Sequence, residues 1–283
     1  MSEQDWLTTS AGITMPRIIY GTAWKKEQTA ELVEQAIIAG FRGIDTACQP
    51  KHYDEKLVGV GIQRMREKGI EREALYIQTK FTPLSSQDPH KSPYSNSSCL
   101  EEQVLQSFDV SLDNLQTDYL DCLLLHSPLQ THEQTMQAWH TMETLSGNGG
   151  IRQLGISNCY DIEVFKQLYT DAAIKPAIVQ NRFYKDTHYE LAMRNWCAPR
   201  GIIFQSFWSL TANSDILGSP LVHKLAQDYS KTTAQIFFRY LSQSGIVPLT
   251  GTTSIKHMRE DLDIFEFKLS AKDLDEMKLL FSA

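Results

Sequence analysis

Six polar residues stand where apolar runs of this sequence end. Asp45 closes GID, Lys80 closes LYIQTK, and His126 follows CLLL. Ser157 and Asn158 close IRQLGISN, and Gln180 lies late in AIVQNRF. Just after Asp45, a polar loop carries two neighbouring rings, His52 and Tyr53, ahead of a helical pattern. An ammonium beside a phenol favours phenolate, and a carboxylate beside the ammonium keeps it charged and oriented. A phenol so tuned is a general acid near neutral pH. An imidazole close by can orient a carbonyl oxygen and stabilise charge developing there. Singly, each residue has a plainer role: Asp45 with Thr46 as a helix cap, Lys80 reaching solvent past a strand end, His126 as a core histidine with a backbone partner. Together on one rim they match proton donation to a carbonyl that receives hydride from a cofactor. The set has no nucleophile–base pair of the Ser–His kind, and the sequence has no HxH or HExxH, so no metal site is expected.

These residues converge only if the runs that carry them are parallel strands of one sheet. Eight β-like runs begin at Arg17, Gly43, Leu75, Tyr119, Ile151, Ala177, Ile202 and Gly245. Helical patterns lie between them. In TAELVEQAIIAGF, Leu32, Val33, Ala36 and Ile37 share a face and Gly40 supplies the stop. In VLQSFDVSLDNL, the apolar residues Val104, Leu105, Phe108, Leu112 and Leu115 are expected on one face. The alternation predicts an α/β protein, a (β/α)8 TIM barrel in a single domain over residues 1–283. The polar loop from Thr82 to Ser98 follows a strand and is expected to overhang the barrel mouth. LTTSAGITMP is expected to form a small hairpin closing the floor. GVGIQR, from Gly59 to Arg64, follows a helix start rather than a strand, so its glycines are expected to serve helix packing and not a dinucleotide fold.

Composition narrows the partners. The chain has 283 residues, 42% hydrophobic and 22% charged, enough for a sizeable core. Its net charge of -7 would repel a polyanion, which argues against nucleic acid. MSEQDWLTTS lacks the basic and apolar regions of a signal peptide, and no apolar stretch approaches membrane-span length. The five cysteines are scattered with no CxxC, which fits a reducing, cytoplasmic setting and a role as small buried hydrophobes. A monomer or weak dimer acting on a small-molecule carbonyl substrate is expected.

The chain resembles the aldo-keto reductase superfamily along nearly its whole length. The resemblance rests on ITMPRIIYGTAW, GIDTA, EKLVG, YIQTK, YLDCLLLHSP, IRQLGISN, VQNRFY and IVPLTGTTSIKHMREDL, in that order and at successive strand ends. It implies a barrel that binds NADPH in extended form, with NADH a possible substitute, and reduces aldehydes or ketones. It implies Asp45 and Lys80 as a supporting pair and His126 as the residue that orients the carbonyl. Ser157, Asn158 and Gln180 resemble the residues that bind the nicotinamide carboxamide. Phe207 resembles the aromatic that stacks on the nicotinamide ring, with Trp208 the alternative. Gly21 and Thr22 match first-strand residues near the cofactor. Leu249, Thr250, Gly251, Thr252, Thr253 and His257 resemble the adenosine-phosphate site.

The sequence departs from the family pattern in three places. Pro50 stands where the family usually has its tyrosine, and counting back from Gly59 brings His52 to that column. The loop CQPKHY therefore carries two extra residues, and Tyr53 is the expected proton donor with His52 its rival. Leu249 takes a lysine column and His257 stands near an arginine column, leaving Lys256 and Arg259 to supply charge toward a 2′-phosphate. The chain ends in KLLFSA soon after its last helical pattern, which implies an open pocket lined more by the Thr82–Ser98 loop, with His90 and Tyr94, and by the loop from Thr211. The altered donor loop also keeps open an alternative of another class, a cofactor-binding sensor or regulatory barrel with little turnover.

Overall fold

A computed structural model describes residues 5–281. Ten strands run in chain order: β1 (Trp6–Thr8), β2 (Thr14–Pro16), β3 (Ile19–Gly21), β4 (Gly43–Asp45), β5 (Tyr76–Phe81), β6 (Cys122–Leu125), β7 (Leu154–Ser157), β8 (Ile178–Arg182), β9 (Ile203–Phe207) and β10 (Ile246–Thr250). β3 to β10 are all parallel and close into an eight-stranded barrel, with β10 paired to both β9 and β3. The helices are α1 (Thr29–Ala39), α2 (Glu55–Arg66), α3 (Leu100–Leu115), α4 (His132–Gly147), α5 (Ile162–Asp171), α6 (Leu191–Cys197), α7 (Ser214–Leu217), α8 (Pro220–Asp228), α9 (Thr233–Gln243), α10 (Ile255–Leu262) and α11 (Ala271–Leu279). This is the (β/α)8 architecture expected from the sequence, and each of the eight apolar runs holds one barrel strand.

Two apolar cores follow from the strand alternation. Side chains pointing outward, such as Ile44, Ile77, Leu123, Leu125, Ile156, Val179 and Phe204, pack under the helices. Those pointing inward, including Ile19, Tyr76, Cys122, Leu124, Ile178 and Val247, fill the barrel. β1 and β2 form the expected hairpin, in register Leu7↔Met15. Met15 is fully buried with the inward set, and Thr9 donates a 2.7 Å hydrogen bond to Gln153, so the hairpin plugs the barrel floor.

Helix ends follow the sequence signals. Gly40 caps α1 at φ 126, a conformation that side chains beyond glycine rarely adopt. The buried face of α3 differs from expectation. It consists of Gln103, Val104, Ser107, Phe108, Ser111 and Leu115, and Leu105 is exposed. One residue of offset turns a helical side chain by about 100°, and the two serines let α3 approach α2 more closely than leucines would. Gly59 and Gly61 belong to that same packing. A methyl on Gly59 would collide with the backbone carbonyl of Asn114 in α3, and one on Gly61 would meet Ala30 and Val33 of α1. The glycines of GVGIQR therefore serve helix contact.

The loop after β5 carries its own latch. Gln49 donates to the Ser86 carbonyl at 2.8 Å, and Gln87 donates to the Cys48 carbonyl at 2.8 Å. Buried Tyr94 donates to the Thr82 carbonyl at 2.6 Å. The segment is thus tied to the loop that carries His52 and Tyr53. At the other end, Phe281 stacks on Tyr240 of α9 and meets Phe183 and Tyr189, while Ser282 and Ala283 of KLLFSA, like Met1 to Gln4, lie outside the described residues.

The glycine contacts yield a paired expectation. Gly59→Ala should destabilise the fold by about 2 kcal/mol or more, because backbone cannot yield as a side-chain tip can. Gly147→Ala, at the end of α4 with nothing within 4 Å, should be neutral or stabilising by ~0.5 kcal/mol. Urea unfolding of both variants against the parent checks the contrast.

Candidate active site

The C-terminal strand ends bring Asp45, Lys80 and His126 together. Lys80 is buried and donates to Asp45 Oδ1 at 2.7 Å, to Oδ2 at 2.8 Å and to the Thr46 carbonyl at 2.7 Å. All three ammonium protons have acceptors, so the charge is both paired and satisfied. Burial pulls against the Lys80 ammonium, but Asp45 and Tyr53 together outweigh it and the amine is held above its ordinary pKa. Asp45 Oδ1 also accepts from Gln78 at 2.7 Å and from Gln180 at 2.9 Å. Gln205 completes this layer. Its Oε1 accepts from Gln78 and Gln180, and its Nε2 donates back to Gln78 at 2.9 Å. Gln78 and Gln205 were absent from the sequence-derived set. The signal for them is period two, since Gln78 lies two residues before Lys80 on one inward face and Gln205 two before Phe207.

The loop after β4 places its two rings differently. Both His52 and Tyr53 donate their backbone N–H to the Gln49 carbonyl, each at 3.1 Å, forming a compact turn. His52 leaves the cluster: its ring lies 4.2 Å from Trp24, and its Nδ1 meets Gln49 Oε1 at 2.8 Å. Tyr53 faces the cluster, with Lys80 Nζ 5.1 Å above its ring and the His126 ring 6.2 Å away edge-on. Two clamps hold it there. Asp54 caps α2 through the Leu57 N–H, and buried Glu55 accepts from Thr79, Ser111 and Asn114. Thr79 neighbours Lys80 on β5, so Glu55 ties the donor loop to the lysine's own strand. Glu55 too escaped the sequence reading.

Electrostatics assign charge states. Burial raises the Tyr53 phenol above its ordinary value, with Lys80 pulling the other way and burial winning. The phenol is thus protonated at neutral pH rather than tuned to it as the sequence reading supposed. Burial, then the Lys80 charge, push His126 well below an ordinary imidazole. His126 is accordingly neutral near pH 7, and its Nδ1 pairs with the Thr82 hydroxyl at 2.6 Å.

The other named residues line the arc from β7 round to β3. Ser157 is buried and donates to the Gln180 carbonyl at 2.8 Å. Asn158, at φ 50, donates to the His126 carbonyl at 2.9 Å. Gln180 spends its amide protons on Asp45 and Gln205, and its oxygen keeps only a 3.4 Å contact from Ser157. Phe207 is half-buried at the end of β9, and Trp208 beside it is 47% exposed. Thr22 is fully buried and its hydroxyl is bonded to the Asp45 carbonyl at 2.9 Å, so it braces the strand ends. Gly21 ends β3 in register with Asp45. Lys25 reaches across to the Gly251 carbonyl, and Tyr20 donates to the Thr252 carbonyl at 2.9 Å. Buried Thr250 donates to Asp261 Oδ2 at 2.7 Å. Thr253, Lys256, His257 and Arg259 are exposed, and Lys256 lies 3.6 Å from Glu260. The arc fits a nicotinamide dinucleotide in two respects: the Gln180 oxygen is left nearly free for an amide donor, and Arg182 has a buried Nε with no acceptor.

A cavity of about 670 Å³ opens at the opposite face, lined by residues that include Trp6, Tyr76, Asp121 and Arg152. It contains none of the site residues. Asp121 there is bonded to Arg72 at 2.8 Å and to Arg152 at 2.9 Å, so both of its carboxylate oxygens are paired. In barrels of this kind, strand starts carry stability and strand ends carry chemistry. Among the described residues, no group of three or more His, Cys, Asp or Glu is arranged to hold a metal ion, and no helix is long and apolar enough to cross a membrane.

Comparison with known proteins agrees with this geometry. The model of the Aldo/keto reductase family matches residues 17–214. The chain belongs to the aldo/keto reductase family. It is 32% identical over 283 residues to glyoxal reductase of Bacillus subtilis, covering 99% of this chain and 94% of that protein. It is 29% identical to methylglyoxal reductase of Yersinia pestis, covering 97% and 92%. It is 28% identical to an NAD/NADP-dependent indole-3-acetaldehyde reductase of Schizosaccharomyces pombe, covering 95% and 92%. Among solved structures, an aldo/keto reductase from Brucella melitensis superposes with a TM-score of 0.81 at 25% identity, covering 97% of this chain and 98% of that one. As an aldo/keto reductase, the chain is an oxidoreductase of a family that uses nicotinamide cofactors.

Asp261 was another residue missed in the sequence. Burial raises its carboxyl from 3.8 to about 7, although Thr250 opposes the shift. The folded state thus binds a proton that the unfolded state has lost, so stability falls as pH rises from about 4 through 7. Asp261→Asn keeps the acceptor for Thr250 without the charge. It should be more stable than the parent at pH 8 by on the order of 2 kcal/mol, with the gap closing toward pH 4. Thermal melts of both proteins across that range check the sign.

Proposed function

We propose that the protein reduces small aldehydes or ketones to alcohols, taking hydride from NADPH, with NADH a weaker substitute. The observation that carries the reading is the Tyr53 phenol lying against a buried Lys80 that is doubly bonded to Asp45, with a neutral His126 beside them. The cofactor, when bound, supplies the hydride. The chain's residues do the rest. His126 hydrogen-bonds the carbonyl oxygen and orients it. Tyr53 gives its hydroxyl proton to that oxygen as negative charge develops there. Lys80 stabilises the phenolate left behind, and Asp45 keeps Lys80 charged and aimed. Ser157, Asn158 and Gln180 hold the carboxamide, Phe207 stacks on the ring, and the Thr250–Thr253 turn with Gly251, Thr252 and His257 receives the adenosine end. Gly21 and Thr22 back the same cleft. Relatives named for glyoxal and methylglyoxal point to short dicarbonyls as first substrates to try. The protein acts as one cytoplasmic barrel, monomeric or weakly dimeric.

The deciding assay mixes purified protein, NADPH and a panel that includes glyoxal and methylglyoxal, and follows cofactor absorbance. Turnover supports the reductase, whereas binding without turnover supports the sensor alternative. Tyr53→Phe should lower turnover by at least ~10²-fold under saturating NADPH, the low end for general acid catalysis. His52→Gln should cost far less. The reverse ranking transfers the proton to His52. Lys80→Met should abolish most turnover while leaving NADPH affinity nearly intact.

Lys256, His257 and Arg259 lie together on exposed α10 and offer charge to a 2′-phosphate. NADPH should therefore bind more tightly than NADH, and the ratio should shrink as salt is added. Titration of both cofactors at low and high ionic strength measures it, and equal affinities at low salt would refute the contact.

A further inference from the structure

Arg182 is the last residue of β8. Inward residues alternate along that strand: Ile178 lies in the barrel core and Gln180 is bonded to Asp45, so Arg182 is the next rung, at the mouth. It pairs in register with Phe207 of β9. Three rings surround its guanidinium. Trp208 is nearest at 4.5 Å from ring centroid to guanidinium carbon, with Tyr184 at 5.5 Å and Phe207 at 5.9 Å. Trp208 adopts φ 59, a conformation uncommon for a bulky residue, and Tyr184 meets its ring at 6.4 Å. The aromatic cage is therefore built at some backbone expense.

The cage lacks one component. Arg182 Nε is buried without an acceptor, and among the described residues no carboxylate lies within ion-pair distance of this guanidinium. A buried donor on a charged group left unpaired is costly, so such an arrangement calls for an anion that arrives with a ligand. A guanidinium laid on aromatic faces still directs its N–H groups outward in its own plane, which suits the paired oxygens of a phosphate.

Position selects among anions. Asp45 and Lys80 belong to β4 and β5, His126 follows β6 and Tyr53 follows β4, so in the reductase reading proton transfer occupies that side of the mouth. In the closed order of the barrel, β8 lies opposite β4, between β7 and β9. If Phe207 stacks on the nicotinamide, as in the reductase reading, its register partner Arg182 stands on the cofactor side of the mouth, across from the proton-transfer residues. Arg182 also neighbours Phe207 rather than α10, which follows β10 and carries Lys256, His257 and Arg259. The phosphate it meets is therefore one close to the nicotinamide. We propose that Arg182, held on Trp208, binds the pyrophosphate of the nicotinamide dinucleotide. The inference rests on the reductase reading above.

The test is calorimetric titration of the full chain with NADP⁺ and with NAD⁺. Arg182→Met should weaken both about 10- to 100-fold, and by the same factor, because the pyrophosphate is common to them. Arg182→Lys should recover part of the loss, and the salt dependence of binding should flatten in Arg182→Met. Trp208→Ala, which keeps the charge and removes its support, should cost a few-fold and guards against a misfolded Arg182 variant. Unchanged affinities in Arg182→Met overturn the proposal. So does a loss confined to NADP⁺, which would mean a 2′-phosphate contact. Intact cofactor binding with a raised KM only for carboxylate-bearing carbonyls would mean a substrate contact and also overturns it. If the parent protein binds neither dinucleotide, the reductase reading falls with it. If the parent binds both and Arg182→Met binds them equally, only this inference falls.

Discussion

The site depends on a charge pair buried inside a barrel. An ammonium and a carboxylate taken out of water cost several kcal/mol each unless the geometry restores what hydration supplied. Here Lys80 finds acceptors for all three protons, and Asp45 collects donors from Lys80, Gln78 and Gln180. The glutamine layer below the pair exists because that carboxylate must be satisfied. Gln205 in turn exists because two glutamine amides above an apolar core need acceptors of their own. Each inward polar residue thus calls for the next, until the layer closes on itself above the apolar inward set. Such a pair is weak evidence for stability. Its value lies in fixing one position for a positive charge beneath the Tyr53 ring.

That charge has use only if the phenol is held as firmly as the lysine. Loops are the mobile parts of barrels, and Tyr53 stands on one. The chain compensates by tying it at both ends. The Gln49 turn and its bond to Ser86 secure one side, and Asp54 and Glu55 secure the other. Glu55 reaches Thr79, the neighbour of Lys80, so the Tyr53 loop and the lysine's strand share a support. The ion-paired cluster of Arg72, Asp121 and Arg152 occupies the opposite face, where the hairpin seals the floor. Chemistry and closure are separated by the length of the strands.

The fold was largely legible because its signals are local. Apolar runs bounded by turn residues marked all eight strands, and Gly40 marked a helix end through its own backbone preference. Asp45, Lys80 and His126 were legible because a polar residue ending an apolar run is conspicuous. Other residues were hidden for identifiable reasons. Both faces of a parallel barrel strand are buried, so hydrophobicity does not say which residues point inward. Gln78, Gln205 and Arg182 therefore passed unremarked inside their apolar runs. Leu105 was misassigned because serines can occupy a buried face where helices come close. The placement of His52 and Tyr53 turned on a backbone turn closed by Gln49, and spacing alone carries no record of that turn. Asp261 and Glu55 acquire their environments from residues distant in sequence, Thr250 being the nearest partner of the first and Thr79 of the second.

Barrel closure also has a consequence for how the chain is made. β3 pairs with β10, and the partner of Ile19 is Leu249, some 230 residues downstream. On the ribosome, the first barrel strand emerges long before the strand that must cover its free edge. Until β10 arrives, the nascent sheet grows as an open ribbon with two exposed parallel edges, each a template for wrong pairing. The β1–β2 hairpin needs only local contacts and can form early. The seam between β10 and β3 cannot close until β10 has cleared the exit tunnel, so the free edge of β3 stays open for most of the chain's synthesis.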